Sequence, residues 1–335
     1  MATSITPARE GPPEAGELVT TKGGRYHVLT RYDRRLLMAM VGFPLLLDIL
    51  LIWWPTLASI LLSFTNWDGV GTPGPQNFIG LKNYQFMFTG YTLFWPAFFH
   101  NVIWLLWLAF IATPIGIFFA VLLDREMRGT RFYQSVFFLP VVLSLALVAF
   151  IWELQYSPTE GFLNNFLHRT SGDNIIDWLG NPRINLFAIL VAASWRHVGY
   201  VMVIYLAGLK SVDPTLREAA KVDGANEIRT FVRVVFPVMA PINVVVTVIT
   251  AIEALRAFDI AFIVNQGKNG LELLSILITN NSISEASLIG FGSAIAVILL
   301  LLWIYYTAFV FLLGGEVAET YDLMRMRRLQ RVRLG

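Results

Sequence analysis

The sequence predicts an all-α integral membrane protein with six transmembrane helices, both termini in the cytoplasm, and a polar helical insert between spans 4 and 5. Three observations carry this. First, 56% of the 335 residues are hydrophobic and 14% are charged, against about 25% charged in a soluble domain; mean hydropathy is +0.61. Second, six stretches reach the ~20 mostly apolar residues that a bilayer-crossing helix needs. Third, lysine and arginine alternate in abundance from loop to loop.

The six stretches are 36–64, 98–123, 132–155, 184–209, 232–255 and 288–313. Pro44, Pro55, Pro114, Pro140 and Pro241 lie within them. Membrane bundles tolerate such prolines because neighbouring groups re-satisfy the freed backbone. Nineteen basic residues fall in the N-terminal tail, the Asp124–Arg131 loop, the 210–237 loop and the C-terminal tail. Four fall in the other three loops, and Arg196 and Arg256 lie within or at the end of spans. The positive-inside rule then puts both tails and the 210–237 loop in the cytoplasm. Trp53, Trp54, Trp67, Trp95, Trp152 and Trp178 gather toward the opposite side, where amphipathic rings anchor helices at the interface.

Residues 1–30 combine Pro12, Pro13 and several glycines and charges with no apolar core, which predicts a disordered cytoplasmic tail rather than a signal peptide. Residues 31–314 form the membrane domain. Residues 315–335 form a basic tail in which leucine, methionine and valine alternate with five arginines, suited to an anionic lipid surface or to a partner.

Chemistry is conspicuous by omission. There is no cysteine, so no disulfide and no thiolate metal site. There is no Gly-x-x-x-x-Gly-Lys-[Ser/Thr] loop to cradle a nucleotide. No His-Glu-x-x-His pair and no Gly-x-Ser-x-Gly elbow occurs. The four histidines are scattered. The sequence therefore predicts no catalytic residue, no metal, no enzyme activity and no nucleic-acid partner.

The polar insert has its own grammar. Asp213-Pro214 is a helix start, with a capping carboxylate and a proline at the first helical position. Thr215–Val222 is a helical run, and Gly224 suits its left-handed end. A second helix can begin near Ala225 and lead toward Pro237. Small residues (Ala219, Ala220, Gly224, Ala225) allow close approach, and Leu216 and Val222 offer apolar knobs. Elementary chemistry leaves two readings open: a solvated loop, or a short helix inserted in a partner's groove.

Glu218-Ala219-Ala220, three residues, Gly224, nine residues, then Val234-Val235-Phe236-Pro237 resembles the EAA signature of ABC importer permeases, with Val234 and Phe236 standing for isoleucine and leucine. "YLAGLKSVDPTLREAAKVDGA", "FIGLKNYQFMF", "GFLNNFL", "DWLGNP" and "AFDIAFIVNQG" resemble segments of the sugar-importer branch. Asn265 departs from a threonine there, and Lys268-Asn269 interrupts a glycine run. The chain is similar to the first, "F"-like, of two paired permeases of maltose-type systems, without its extra N-terminal spans. The resemblance implies a multi-pass protein of the bacterial cell membrane. Its insert would be a coupling helix docking a separate ATPase through Leu216, Glu218, Ala219, Ala220, Asp223, Gly224, Ala225 and Pro237. It implies further partners: a second permease, an ATPase dimer holding ATP and magnesium, an external solute-binding protein and a sugar. The chain itself would bind no cofactor.

Ionisable groups at membrane depth face cavities or partners. Asp48 in span 1 and Arg196 in span 4 stand out. The expected pathway residues are Asp48, Trp195, Arg196, His197, Tyr200, Glu253, Asp259 and Asn265. A structural Asp48–Arg196 pair and an i, i+3 pair of Glu253 with Arg256 are the plainer alternatives. The rival functions are an ion-gradient-driven secondary transporter, a membrane enzyme or scaffold, and an ABC permease for a polyol or glycerophosphodiester.

Overall fold

A computed structural model describes residues 31–125, 128–169, 172–284 and 287–334; the expected N-terminal tail lies outside them. Regular structure among the described residues is helical, apart from one bridge between Thr65 and Phe78. The chain divides into two units, Met1–Pro55 and Thr56–Gly335, and the boundary falls within the first long helix.

That helix, α1 (Tyr32–Leu62), has a π-helical turn at Ile49–Trp53. The other long apolar helices are α3 (Phe94–Asp124), α7 (Asn185–Ser211) and α13 (Ile289–Leu334). They match spans 1, 2, 4 and 6 of the sequence within a few residues. The last continues as helix into the basic tail.

Spans 3 and 5 differ from expectation. Each is a bent pair, not one straight helix. The third is α4 (Thr130–Val142) and α5 (Leu145–Gln155), meeting at 101°; the fifth is α9 (Glu227–Val238) and α10 (Ala240–Leu255), with 80° between the Glu227–Val238 and Ala240–Asn265 segments. The causes are local. Pro140 offers no N–H to the turn before it. Three residues later the chain becomes extended at Leu143, and Ser144 restarts the helix by accepting from Leu147 N at 3.2 Å. At the second bend Pro241 likewise lacks a donor, and Asn243 Nδ2 donates to the Phe236 carbonyl at 2.9 Å. Tyr205 on α7 donates to Asn243 Oδ1 at 2.5 Å, tying the bend to the bundle.

Helix α7 is the central element of the second unit. Half of its most apolar window is buried, against 22% for α3 and 11% for α13. It belongs to two apolar clusters. One joins its first half to Trp104, Leu108, Val148, Ile260 and Leu273. The other joins its second half to Leu123, Val235 and Met239. Small residues allow this. Gly116 of α3 lies against Val201 and the Val198 carbonyl, and Gly199 of α7 lies directly on the Phe137 carbonyl of α4. Membrane helices associate through such close backbone approach.

The loops opposite the basic end are braced by asparagines. α2 (Lys82–Thr89) is held by Asn83, which donates to the carbonyls of Ser63 and Thr65 at 2.8 and 2.7 Å. Beside α6 (Phe162–Phe166), Asn164 donates to Pro158 O and Ile176 O and accepts from Trp178 Nε1 at 3.0 Å. Asn185 binds the carbonyls of Lys268 and Asn269. Asn101 Oδ1 accepts from Leu274 N at the start of α12 (Leu274–Thr279).

Gly199→Val drives a β-carbon into the Phe137 carbonyl and should destabilise the detergent-solubilised chain by about 1–3 kcal/mol. A thermal unfolding midpoint equal to wild type would mean that α4 and α7 do not touch there.

Candidate functional site

Two places collect the residues singled out by the sequence. The first is a cavity of about 160 Å³ between α3, α5, α7, α10 and α11 (Asp259–Asn265). Arg196 and His197 of α7, Glu253 of α10, and Arg256 and Asp259 beside the helix break line it, with Trp104, Leu108, Leu145 and Phe258 as apolar wall. Arg196 Nη1 lies 3.4 Å from Glu253 Oε2. The plainer Glu253–Arg256 pairing of the sequence reading gives way to this one. Glu253 meets Arg196 across helices, and Arg256 falls just beyond the end of α10, where its N–H closes the helix on Ile252 O. The cavity thus holds two cations and two carboxylates.

His197 lines the cavity but is 5% exposed. Its Nε2 sits 3.2 Å from Thr113 Oγ1 and 3.3 Å from Thr250 Oγ1. Thr250 already donates to Val246 O, so its oxygen is an acceptor and His197 Nε2–H the natural donor. His197 therefore ties α7 to α3 and α10. Trp195 and Tyr200 do not line the cavity. Successive helical residues are ~100° apart, and Trp195 turns aside to meet Trp152 edge-on at 6.0 Å. Asn265 is taken up by loop backbone, donating to Lys268 O at 2.8 Å and to Leu179 O at 3.4 Å and accepting from Gly267 N. Asp48, in the first unit, accepts from Trp53 Nε1 at 3.1 Å.

The second place is the polar insert. α8 (Pro214–Val222) begins as its residues dictate: Asp213 Oδ1 accepts from Thr215 N at 2.9 Å. That bond holds the exposed Asp213 carboxyl below its ordinary pKa. Gly224 follows at φ +78°, with open space where a β-carbon would stand. Asn226 then caps α9, accepting from Arg229 N at 2.8 Å. Helix, glycine turn and helix are present, the second starting two residues later than expected.

Exposure sorts the named residues. Glu218, Ala219, Asp223, Gly224 and Pro237 are exposed, Ala225 is half-buried and Ala220 is buried. Leu216 is not an outward knob; it packs into the cluster around Val212 and Leu209. The most exposed apolar side chains of the insert are Val222, 88% exposed, and Ile228, 76% exposed. The sequence reading missed Ile228, although an isoleucine inside a charged run was a readable signal. It also missed Arg217, which reaches back to Asp124 at the end of α3, its Nη1 2.6 Å from Asp124 Oδ2.

Helical structure among the described residues, bent spans, a charged cavity between them and a capped polar hairpin between spans 4 and 5 suit a membrane permease. Residues 112–317 match the model of the family described as "Binding-protein-dependent transport system inner membrane component", and the chain belongs to that family. It is a membrane-embedded permease subunit of an ABC importer, not an enzyme. It is 33% identical over 264 residues to the xylose/arabinose import permease protein XacH of Haloferax volcanii, covering 78% of this chain and 82% of that protein. It is 35% identical over 254 residues to the osmoprotective compounds uptake permease protein GgtC of Synechocystis sp., covering 74% and 88%. A chain of a bacterial ABC transporter involved in import of the acidic polysaccharide alginate has the same fold, with TM-score 0.73 at 20% identity, over 85% of this chain and 96% of that one.

Arg196→Ala and Glu253→Ala, made singly and together, should show a coupling energy on the order of 1 kcal/mol in unfolding, since the pair is partly exposed; strictly additive effects would dissolve the pair. At the insert, Asp213→Ala should speed hydrogen exchange at Thr215, and Asp213→Asn should do so much less. Because the folded carboxyl has the lowered pKa, the cap is in place above the ordinary aspartate range and fades as pH falls through the folded value. Equal exchange in all three proteins would exclude the cap.

Proposed function

We propose that the chain forms one half of a sugar pathway, fed by an external binding protein and driven by a separate ATPase docked on the α8–α9 insert. The observation that carries this is the EAA spacing folded as a capped hairpin with two exposed apolar side chains, Val222 and Ile228, beside the Gly224 turn. The basic end, by the positive-inside count, faces the cytoplasm. A dimer of ATPase subunits holding ATP and magnesium would meet this insert and its counterpart on a second permease. Closure of that dimer would shift the spans between inward-open and outward-open states, by no more than its differential affinity for them.

The substrate side rests on relatives and on the cavity. Relatives at 29% and 26% identity are a trehalose/maltose permease of Thermococcus litoralis and an arabinooligosaccharide permease of Bacillus subtilis. A cavity with equal numbers of cations and carboxylates suits an uncharged, hydroxyl-rich solute, with no net charge to favour an acidic one. At about 160 Å³ it is smaller than the roughly 300–1,000 Å³ of complete ligand sites, in keeping with one wall of a shared pathway. The similarity to an osmoprotectant permease favours a polyol-like osmolyte as the second reading.

The test is sugar-stimulated ATP hydrolysis by the complex that co-purifies with the chain, reconstituted in lipid with its binding protein. Uptake that survives ATP depletion and stops with an ionophore would overturn the proposal in favour of an ion-driven transporter. Gly224 refines it. A β-carbon at φ +78° costs about 1–2 kcal/mol in most residues and less in asparagine. If backbone strain alone matters, Gly224→Ala loses transport and Gly224→Asn keeps it. If the ATPase approaches the bare glycine, both lose transport and both release the ATPase. Wild-type transport in both variants would count against docking at this turn.

A further inference from the structure

One guanidinium closes two helices at the basic end of the second unit. Asp124 is the last residue of α3, where a carboxylate opposes the negative end of the helix dipole. Arg217 of α8 neutralises it through Nη1 at 2.6 Å, with the Asp124 side chain 14% exposed. Through Nη2 the same guanidinium donates to Leu209 O at 3.1 Å. That carbonyl lies in the last turn of α7, which leaves its acceptors without helical partners. Beyond it, Arg125 pairs with Glu227 at the start of α9, both largely exposed. The two bridges flank a cavity of about 230 Å³ beneath the Gly224 turn.

Chain connectivity joins α8 to α7 and α9, but not to α3. We propose that the Arg217–Asp124 bridge is a transmission clamp, making the end of α3 move with α8 when the insert is displaced. This rests on the reading of the insert as the ATPase-docking element. Arg217 and Asp124 are positioning residues: they touch no nucleotide and no substrate. A planar fork serves two acceptors at fixed angles, which a lysine ammonium does not reproduce. The Arg125–Glu227 bridge, open to solvent and screened by salt, steadies the insert without carrying the motion.

The experiment measures transport per ATP hydrolysed in the reconstituted complex with its binding protein. Arg217→Ala and Asp124→Asn should keep the ATPase bound and hydrolysing, while transport per ATP falls on the order of tenfold. Arg217→Lys should recover part of the loss, and the exchanged pair Asp124→Arg/Arg217→Asp should exceed either Asp124→Arg or Arg217→Asp alone. An assembled Arg217→Ala complex with the wild-type ratio overturns the clamp. A second measurement covers variants that do not assemble. The chain has no cysteine, so labels at Leu122→Cys and Lys221→Cys report a clean α3–α8 distance. It should stay constant between nucleotide-free and ATP-bound complexes; a change of several ångströms overturns the clamp. A wild-type chain that acquires no ATPase refutes the docking reading itself, whereas an active complex with an unchanged ratio or a shifting distance refutes only the clamp.

Discussion

In hydrocarbon, no backbone N–H or C=O can be left without a partner, and the rest of this structure follows from how that obligation is met where helices break. Four long helices meet it by themselves. The two bent spans cannot. Ser144 supplies the acceptor at the first bend and Asn243 the donor at the second. Each repair has a consequence. The first bend presents Leu145 to the charged cavity. The second, locked to α7 by Tyr205, fixes where the polar insert leaves the bundle. Each bend thus combines a proline with a polar side chain a few residues on that takes up a backbone group at the break.

Helix existence and the insert were legible in the sequence for a physical reason. Hydropathy over ~20 residues and the Asp-Pro…Gly grammar are local, and local energetics decide them. The bends were not legible. Pro114 and Pro140 read alike, yet Pro114 follows a π-helical turn at Leu108–Ala112 within the continuous α3, whereas Pro140 precedes a break at Leu143, after which Ser144 caps a new helix. The direction of Leu216 was also hidden. Its period fits an outward face as well as an inward one, and only the nearness of Val212 and Leu209 decides.

The charges of the cavity teach the same lesson. Arg196 and Glu253 were each readable as costly ionisable groups, but their pairing joins residues 57 apart. An i, i+3 partner for Glu253 was available in Arg256, and the helix end at Leu255 withdrew it. His197, named for the pathway, is held by Thr113 and Thr250. It joins three helices at the cavity wall more than it offers a free donor to solute. Local pattern finds the charged residues; tertiary packing assigns their partners.

α7 links the two places where function is proposed. Arg196 and His197 lie on it at the cavity, and Leu209 lies on it at the Arg217 bridge. Thirteen residues separate 196 from 209, about 20 Å of helix at 1.5 Å per residue. No proline interrupts that stretch, and Tyr205, Met202 and Val201 are buried along it. A helix so packed moves as a rod. On the proposed coupling, motion admitted at Leu209 would reach Arg196 as a tilt, not as a local unwinding. The Arg196–Glu253 contact, at 3.4 Å and partly exposed, is loose enough to yield to such a tilt, whereas the His197 contacts are buried. On that coupling the cavity would change on its Glu253 side while its His197 side holds.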